Sequence, residues 1–248
     1  MAVTTGMPPQ RTVILAALLF GACDGGGSGG PVDTGVVPVD IDNGSCGDQI
    51  RFTGEFVDWD THAAFCGINA ASLEVPGGAM DTTAPNGRFD LCLANTATTR
   101  INVTFDAANS QCTTPPAAYT IPTIILATKA VIQSGGFTSA RAFTTVRQTS
   151  FFQKVGVPFD PAKAQVFVHI DGPSRVVTLG AAHAATQSVI VGTVSTDWQP
   201  SETGQDLFFP NVDVSGGSTT LGITGSSVAP ATIPLVAGTI TNVSAKTM

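Results

Sequence analysis

Charge is scarce in this chain, and its balance is acidic. Charged residues make up 12% of the 248 residues, and eleven Lys and Arg face eighteen Asp and Glu, for a net charge of −7. Because phosphate binding needs clustered basic side chains, this balance predicts no nucleic-acid partner. Hydrophobic residues make up 43%, which is enough apolar surface to build a core.

The common catalytic and metal-binding motifs are also missing. No G-x-S-x-G lies between a predicted strand and a predicted helix, which is where a nucleophile elbow needs it. The three histidines, His62, His169 and His183, form no H-x-x-x-H pair that would place two imidazoles on one helical face. The sequence therefore predicts no catalytic residue, no metal site and no cofactor, in a protein that is not an enzyme.

Eight acidic residues between positions 24 and 60 leave two interpretations open. They belong to a solvated, self-repelling segment, or they supply carboxylates to a calcium ion. The pairs Asp40 with Asp42 and Asp58 with Asp60 lack the glycine and terminal glutamate of an EF-hand loop, which favours the solvated segment.

No apolar run near the N-terminus is long enough to span a membrane. The run at residues 12–20 (TVILAALLF) is short, and a membrane-spanning helix needs about 20 residues. A run of this length that follows a basic residue, Arg11, and precedes small residues is typical of a secretory signal. Residues 19–23 (LFGAC) resemble the lipobox of bacterial lipoproteins, a family in which the signal is cut before the cysteine and the cysteine carries lipid.

This resemblance implies how the first part of the chain is organised. Residues 1–22 are expected to form a lipoprotein signal peptide, and residues 23–45 a flexible tether rich in Gly and Asp. Cys23 is then the lipidation site, acylated with palmitate or a similar chain, and membrane lipid is the first expected partner. The expected location is the bacterial cell envelope, either periplasmic or on the outer surface. The other interpretation is an ordinary signal peptide with an incidental cysteine.

The remaining cysteines number four, which suits an exported protein. Cys46, Cys66, Cys92 and Cys112 predict two disulfides, and the sequence leaves all three pairings open. Their spacings are too wide for a C-x-x-C redox pair or a zinc ribbon.

Alternating apolar residues predict short strands from position 49 onward. Residues 50–57, 88–93 and 100–105 alternate with period two, and the Asn86-Gly87 dipeptide predicts a tight turn before the second of them. Short strands separated by turn signals indicate a β-sandwich over residues 46–118.

The order of these segments resembles the carboxypeptidase regulatory-like domain. The motifs are GEFVD at residues 54–58, ASLEVPG at 71–77 and TTAPNGRFDL at 82–91. That family is a small transthyretin-like β-sandwich, which accompanies enzymes, transporters and surface proteins as a structural or binding module. The resemblance therefore implies no catalysis by this region.

The second half of the chain predicts more strands after one helix. In the connecting segment, residues 119–163, the run at 121–130 predicts a buried strand and the three-to-four spacing at 137–155 predicts a helix. Strand patterns return at 164–248 and echo those of the first half. The predicted fold class is all-β, with one or two Greek-key or transthyretin-like sandwiches and one inserted helix. The two halves form separate domains or one extended domain.

Two tryptophans in polar surroundings are the candidate ligand contacts. Trp59 and Trp198 lie in DWD and DWQ sequences, where an exposed ring suits carbohydrate or protein binding and a buried ring closes one end of a core. Two functions follow. The chain is a non-enzymatic, lipid-anchored structural or binding module, or it binds or processes envelope carbohydrate through these loops. The expected partner is an envelope protein or a glycan.

Overall fold

The computed structural model describes residues 46–58, 63–72, 80–82, 86–105, 121–134, 140–189 and 198–248. All of them belong to one compact unit. The predicted signal peptide and tether, together with Cys23, Trp59 and Cys112, lie outside the described residues.

Strands dominate the described residues, which confirms the predicted all-β, sandwich-like fold. In chain order the strands are β1 (Ile50–Asp58), β2 (Ile68–Ser72), β3 (Met80–Thr82), β4 (Arg88–Leu93), β5 (Thr98–Phe105), β6 (Thr123–Thr128), β7 (Ala140–Ala142), β8 (Ala164–Asp171), β9 (Arg175–Leu179), β10 (Gln187–Val189), β11 (Trp198–Pro200), β12 (Thr203–Gly204), β13 (Asp206–Val212), β14 (Ser218–Ile223), β15 (Ser227–Val228), β16 (Thr232–Pro234) and β17 (Ile240–Thr247). Two helices, α1 (Lys129–Gln133) and α2 (Thr145–Val155), occur in the same part of the chain, where the sequence predicted one.

A ten-stranded sheet runs through both halves of the described chain. Its order is β11-β10-β13-β8-β17-β6-β5-β2-β3, with β15 paired to β17 outside this path. The C-terminal strand β17 lies between β8 and β6 and is parallel to both. Strands from both predicted domains, at 46–118 and 164–248, therefore belong to one hydrogen-bonded sheet.

A three-stranded sheet covers one part of this large sheet. Its order is β4-β1-β7, and its apolar side chains pack with those of β5, β6 and α1 in one core. Gly54 of β1 lies opposite Phe89 of β4, and a Cβ on this glycine would lie 2.2 Å from the phenyl ring. The glycine therefore gives the ring the room it needs to be fully buried.

A four-stranded sheet covers another part of the large sheet. Its order is β12-β9-β14-β16, and Val177 and Ile233 from it pack in a second core. The opposing side chains come from β8, β13 and β17, and Val166, Val168 and Leu207 among them are fully buried. Sheet packed on sheet with alternating inward residues is the arrangement of a β-sandwich.

Helix α2 packs an aromatic core against the same three strands. Phe151 and Phe152 of the helix join Phe143, Phe167 and Phe208 in this third cluster. The helix begins after Thr144, whose hydroxyl accepts a hydrogen bond from the Arg147 backbone N–H, and ends at Val155, directly before Gly156 with φ of 70°. The predicted end is correct, but the predicted start at residue 137 is wrong, because residues 140–142 form β7 and pair with β1.

Candidate functional site

One of the predicted disulfides joins Cys46 to Cys92. The Cα atoms lie 5.4 Å apart, and the bond ties the turn before β1 to β4. Cys66 is disulfide-bonded as well. Its partner lies outside the described residues, as does Cys112. The Cys46–Cys92 bond is one of the three pairings that the sequence left open for Cys46.

Trp198, a candidate ligand contact, is buried, which agrees with the other interpretation that its ring closes one end of a core. Its side chain is 5% exposed and belongs to the aromatic core under α2. The indole ring lies 5.5 Å from the Phe151 ring and 6.2 Å from the Phe208 ring, centroid to centroid, in edge contacts. Strand β11 extends the edge of the large sheet next to α2. The Trp198 ring therefore closes one end of the aromatic core.

Three neighbouring strands place polar side chains in one row across the large sheet. His169 of β8 is the register partner of Asp206 on β13 and of Ser244 on β17. Register partners in adjacent strands point to the same face, so the three side chains stand side by side. We call these three residues the polar row.

The carboxylate of Asp206 holds the imidazole of His169. Nδ1 of His169 lies 2.6 Å from Oδ1 of Asp206, and Nη2 of Arg141 on β7 lies 3.6 Å from Oδ2 of the same carboxylate. The His169 side chain is 44% exposed and that of Asp206 is 18% exposed. An ionised carboxylate only accepts hydrogen bonds, so Nδ1 donates and Nε2 of the neutral ring keeps its lone pair.

Beside the polar row lies a buried amide without a partner. Asn242 stands two residues before Ser244 on β17, on the same face, and is 4% exposed. Neither its Nδ2 nor its Oδ1 has a hydrogen-bond partner among the described residues. Since buried polar groups are nearly always paired, such an amide calls for an explanation.

A hydroxyl-lined cleft lies at the start of β14, away from the polar row. It encloses about 450 Å³, and its lining includes Asp213, Ser215, Ser218 and Thr220. Lys163 Nζ lies 2.5 Å from Asp213 Oδ2, and the Ser215 backbone N–H donates to Asp213 Oδ1 over 2.9 Å. The hydrogen bond from Lys163, followed by those from Ser215, holds the pKa of Asp213 well below its usual range. The same bond raises the pKa of Lys163.

Neither a metal cluster nor a membrane-spanning helix occurs among the described residues. Among the residues that the structure describes, no group of three or more His, Cys, Asp and Glu side chains could hold a metal ion. In that same part of the chain, no helix has the length and apolar character to cross a membrane. Of the residues weighed for calcium, Asp58 ends β1, and Asp40, Asp42 and Asp60 lie outside the described residues.

Comparison with known proteins adds no identification: neither a protein-family model nor a curated protein matches the chain.

Sequence reasoning missed the polar row because its members are scattered. The row's residues are separated by 37 and 38 positions along the chain, and no local motif joins them. The alternation of β8 did place His169 on the face opposite Val168, but its neighbours follow only from strand register. To predict the polar row, one needs to know that β17 lies between β8 and β6, and the sequence pattern does not indicate this position.

Proposed function

We propose that the chain is an exported, lipid-anchored protein of the bacterial cell envelope. The observation that carries this proposal is the LFGAC segment at residues 19–23, which follows a short apolar run and precedes a Gly-rich stretch. One acyl chain gives only marginal membrane binding, so the anchor is expected to carry more than one. In this proposal the folded part acts as a structural or binding module.

Metabolic labelling with a palmitate analogue tests the anchor. We expect the wild type to be labelled and to fractionate with membranes. Cys23→Ser is expected to lose both properties, because the acceptor thiol is gone. Asp24→Ala, which changes the adjacent residue and keeps the thiol, is the matched control and is expected to keep the label. Equal labelling of Cys23→Ser and the wild type would contradict the proposal.

The finer proposal for residues 46–118 is a carboxypeptidase regulatory-like sandwich with a transthyretin-like arrangement. Two features support it. Strands β1 and β4 pair antiparallel with GEFVD and RFDL in the expected places, and the Asn86 side chain accepts a hydrogen bond from the Arg88 backbone N–H in the turn before β4. Members of that family serve as accessory modules, which agrees with a binding role.

Carbohydrate binding is the second candidate function, and the hydroxyl-lined cleft favours it. Hydroxyl and carboxylate groups are suited to pairing with sugar hydroxyls, and Ser218 and Thr220 of the lining are exposed. A glycan array probed with the wild type, with Ser218→Val/Thr220→Val and with the control Thr203→Val, which changes an exposed threonine of β12 outside the lining, tests it. We expect a glycan that the wild type and the control bind and the double variant does not. An array on which the wild type binds no glycan would rule out carbohydrate binding.

A further inference from the structure

We infer that the polar row, together with Asn242, is a serine-dependent acyl-transfer site. This inference goes beyond the proposed function, which gives the folded part a binding role. It rests on four side chains that three neighbouring strands bring to one face of the large sheet. Such a site needs a nucleophile, a base, a group that orients the base, and a donor for the oxyanion.

His169 is the base, and Asp206 is the residue that positions it. The 2.6 Å contact between Nδ1 and the carboxylate fixes the tautomer, so Nε2 is the atom able to take a proton. The His169 side chain is 44% exposed, and bulk water therefore reaches the imidazole. Arg141 contacts the other carboxylate oxygen of Asp206 and favours the ionised form that this geometry requires.

Ser244 is the nucleophile on the opposite side of His169 from Asp206. Strands β17 and β8 are in register at this point, and adjacent strands lie about 4.8 Å apart. In enzymes without substrate the contact between nucleophile and base is often long, and it tightens when substrate binds.

Asn242 supplies the oxyanion donor. Its Nδ2 is buried and unpaired among the described residues, and its side chain stands on the same face of the same strand as Ser244. A preorganised amide of this kind stabilises the negative oxygen of a tetrahedral intermediate. In this role the buried Nδ2 of Asn242 donates to the oxyanion, whereas the described residues offer it no hydrogen-bond acceptor.

The geometry favours an ester with a small acyl group as substrate. The register partner of Ser244 on the side away from His169 is Ala127, whose methyl group takes little space. Both residues are buried, at 4% and 2% exposure, so entry of an acyl group requires neighbouring side chains to move, and a small group requires the least movement. The exposed edge of His169 leaves the leaving alcohol a path to solvent.

The reaction is balanced without any further reactant except water. The Ser244 oxygen forms a bond to the carbonyl carbon while its proton passes to Nε2 of His169. The ester C–O bond then breaks, and the alcohol leaves with that proton. A water molecule gives a proton to Nε2, attacks the acyl group and releases a carboxylic acid, and the proton returns to Ser244.

Labelling with a fluorophosphonate tests the nucleophile. The reagent forms a bond between phosphorus and an activated serine oxygen and releases fluoride, and intact mass followed by peptide mapping locates it. We expect one adduct, on Ser244, in the folded mature protein. Ser244→Ala is expected to abolish labelling, and His169→Gln to slow it about 100-fold or more. Ser188→Ala removes another buried serine, from β10, and is the matched control that keeps full labelling.

Hydrolysis of p-nitrophenyl acetate by the same proteins tests turnover. We expect Asn242→Ala to lower kcat about 100-fold, as loss of one oxyanion donor does. We expect Asp206→Asn to lower kcat with little change in KM, whereas a purely structural role would reduce only the folded fraction seen by circular dichroism. No labelling of Ser244 in folded protein, or equal labelling rates in wild type and His169→Gln, would overturn the inference. Neither result bears on Cys23, so the anchor is tested separately.

Discussion

The side chain of Asn211, at a bulge in β13, forms hydrogen bonds to the loop between α2 and β8. Its replacement tests how much these hydrogen bonds stabilise the fold. Its φ of 52° is positive, which is found at no other non-glycine residue among those described. Its Oδ1 accepts from the Asp160 backbone N–H over 3.1 Å and from Gln165 Nε2 over 3.2 Å. Its Nδ2 donates to the Pro158 carbonyl over 2.8 Å.

The stability cost can be worked out for two replacements. Asn211→Gly removes these three side-chain hydrogen bonds, at about 1 kcal/mol each, and recovers up to about 1 kcal/mol because glycine adopts positive φ freely. The expected loss in the free energy of unfolding is about 2–3 kcal/mol. Asn211→Ala loses the same bonds and adds about 1 kcal/mol of left-handed strain, for a loss of about 4 kcal/mol.

Urea unfolding of both variants, with the disulfides intact, measures these costs. With a slope of about 2 kcal/mol per molar urea, the midpoint is expected to fall by about 1–1.5 M for Asn211→Gly and about 2 M for Asn211→Ala. Asn95→Ala is the control, since this asparagine is exposed and its side chain makes only one hydrogen bond among the described residues, from Lys129 at the surface, so its change is expected to cost less than about 0.5 kcal/mol. These costs are contradicted if the urea midpoint of Asn211→Gly equals that of the wild type, or if the midpoint of Asn211→Ala equals that of Asn211→Gly.

Three further predictions follow from the described contacts. The double variant Cys46→Ala/Cys92→Ala removes the disulfide and opens a loop with a sequence separation of 46. The free energy of unfolding, measured in urea, is expected to fall by about 4 kcal/mol, and an unchanged urea midpoint would contradict this. Trp198→Ala is expected to lower the free energy of unfolding by about 3–5 kcal/mol, because the ring fills the aromatic core, and Trp198→Phe is expected to lower it by less. A variant that keeps full stability but loses glycan binding would show instead that the ring is a ligand contact. The pKa of Asp213 is lowered in the folded state by Lys163, so this pair stabilises the fold above pH about 4 and less as the pH falls further. The Tm difference between wild type and Asp213→Asn is therefore expected to shrink between pH 5 and pH 2.5, and a constant difference would refute the assignment.

Local features of the fold could be predicted from the sequence because they depend on neighbouring residues. Strand β4 has the predicted bounds, since the alternation at residues 88–93 begins directly after the turn at Asn86 and Gly87. The end of α2 at Val155 was also predicted, because Gly156 adopts the left-handed conformation that terminates helices.

Long-range features could not be predicted in this way. Nothing near residues 240–247 indicates that β17 inserts between β6 and β8, although this one insertion joins strands from both halves of the chain in one sheet. The strand at residues 140–142 was predicted as helix because its partner, β1, lies about 80 positions earlier. The polar row follows from the same insertion, since Ser244 reaches His169 only through the register of β17 against β8.

The central claim of this account is that an acyl-modified Cys23 anchors the folded part to a membrane. Mass spectrometry of the protein purified from membranes of the producing cell measures this directly. We predict an N-terminal peptide that begins at Cys23 and carries the added mass of fatty acyl chains. A mature N-terminus at any other residue, or an unmodified thiol at Cys23, would contradict the account.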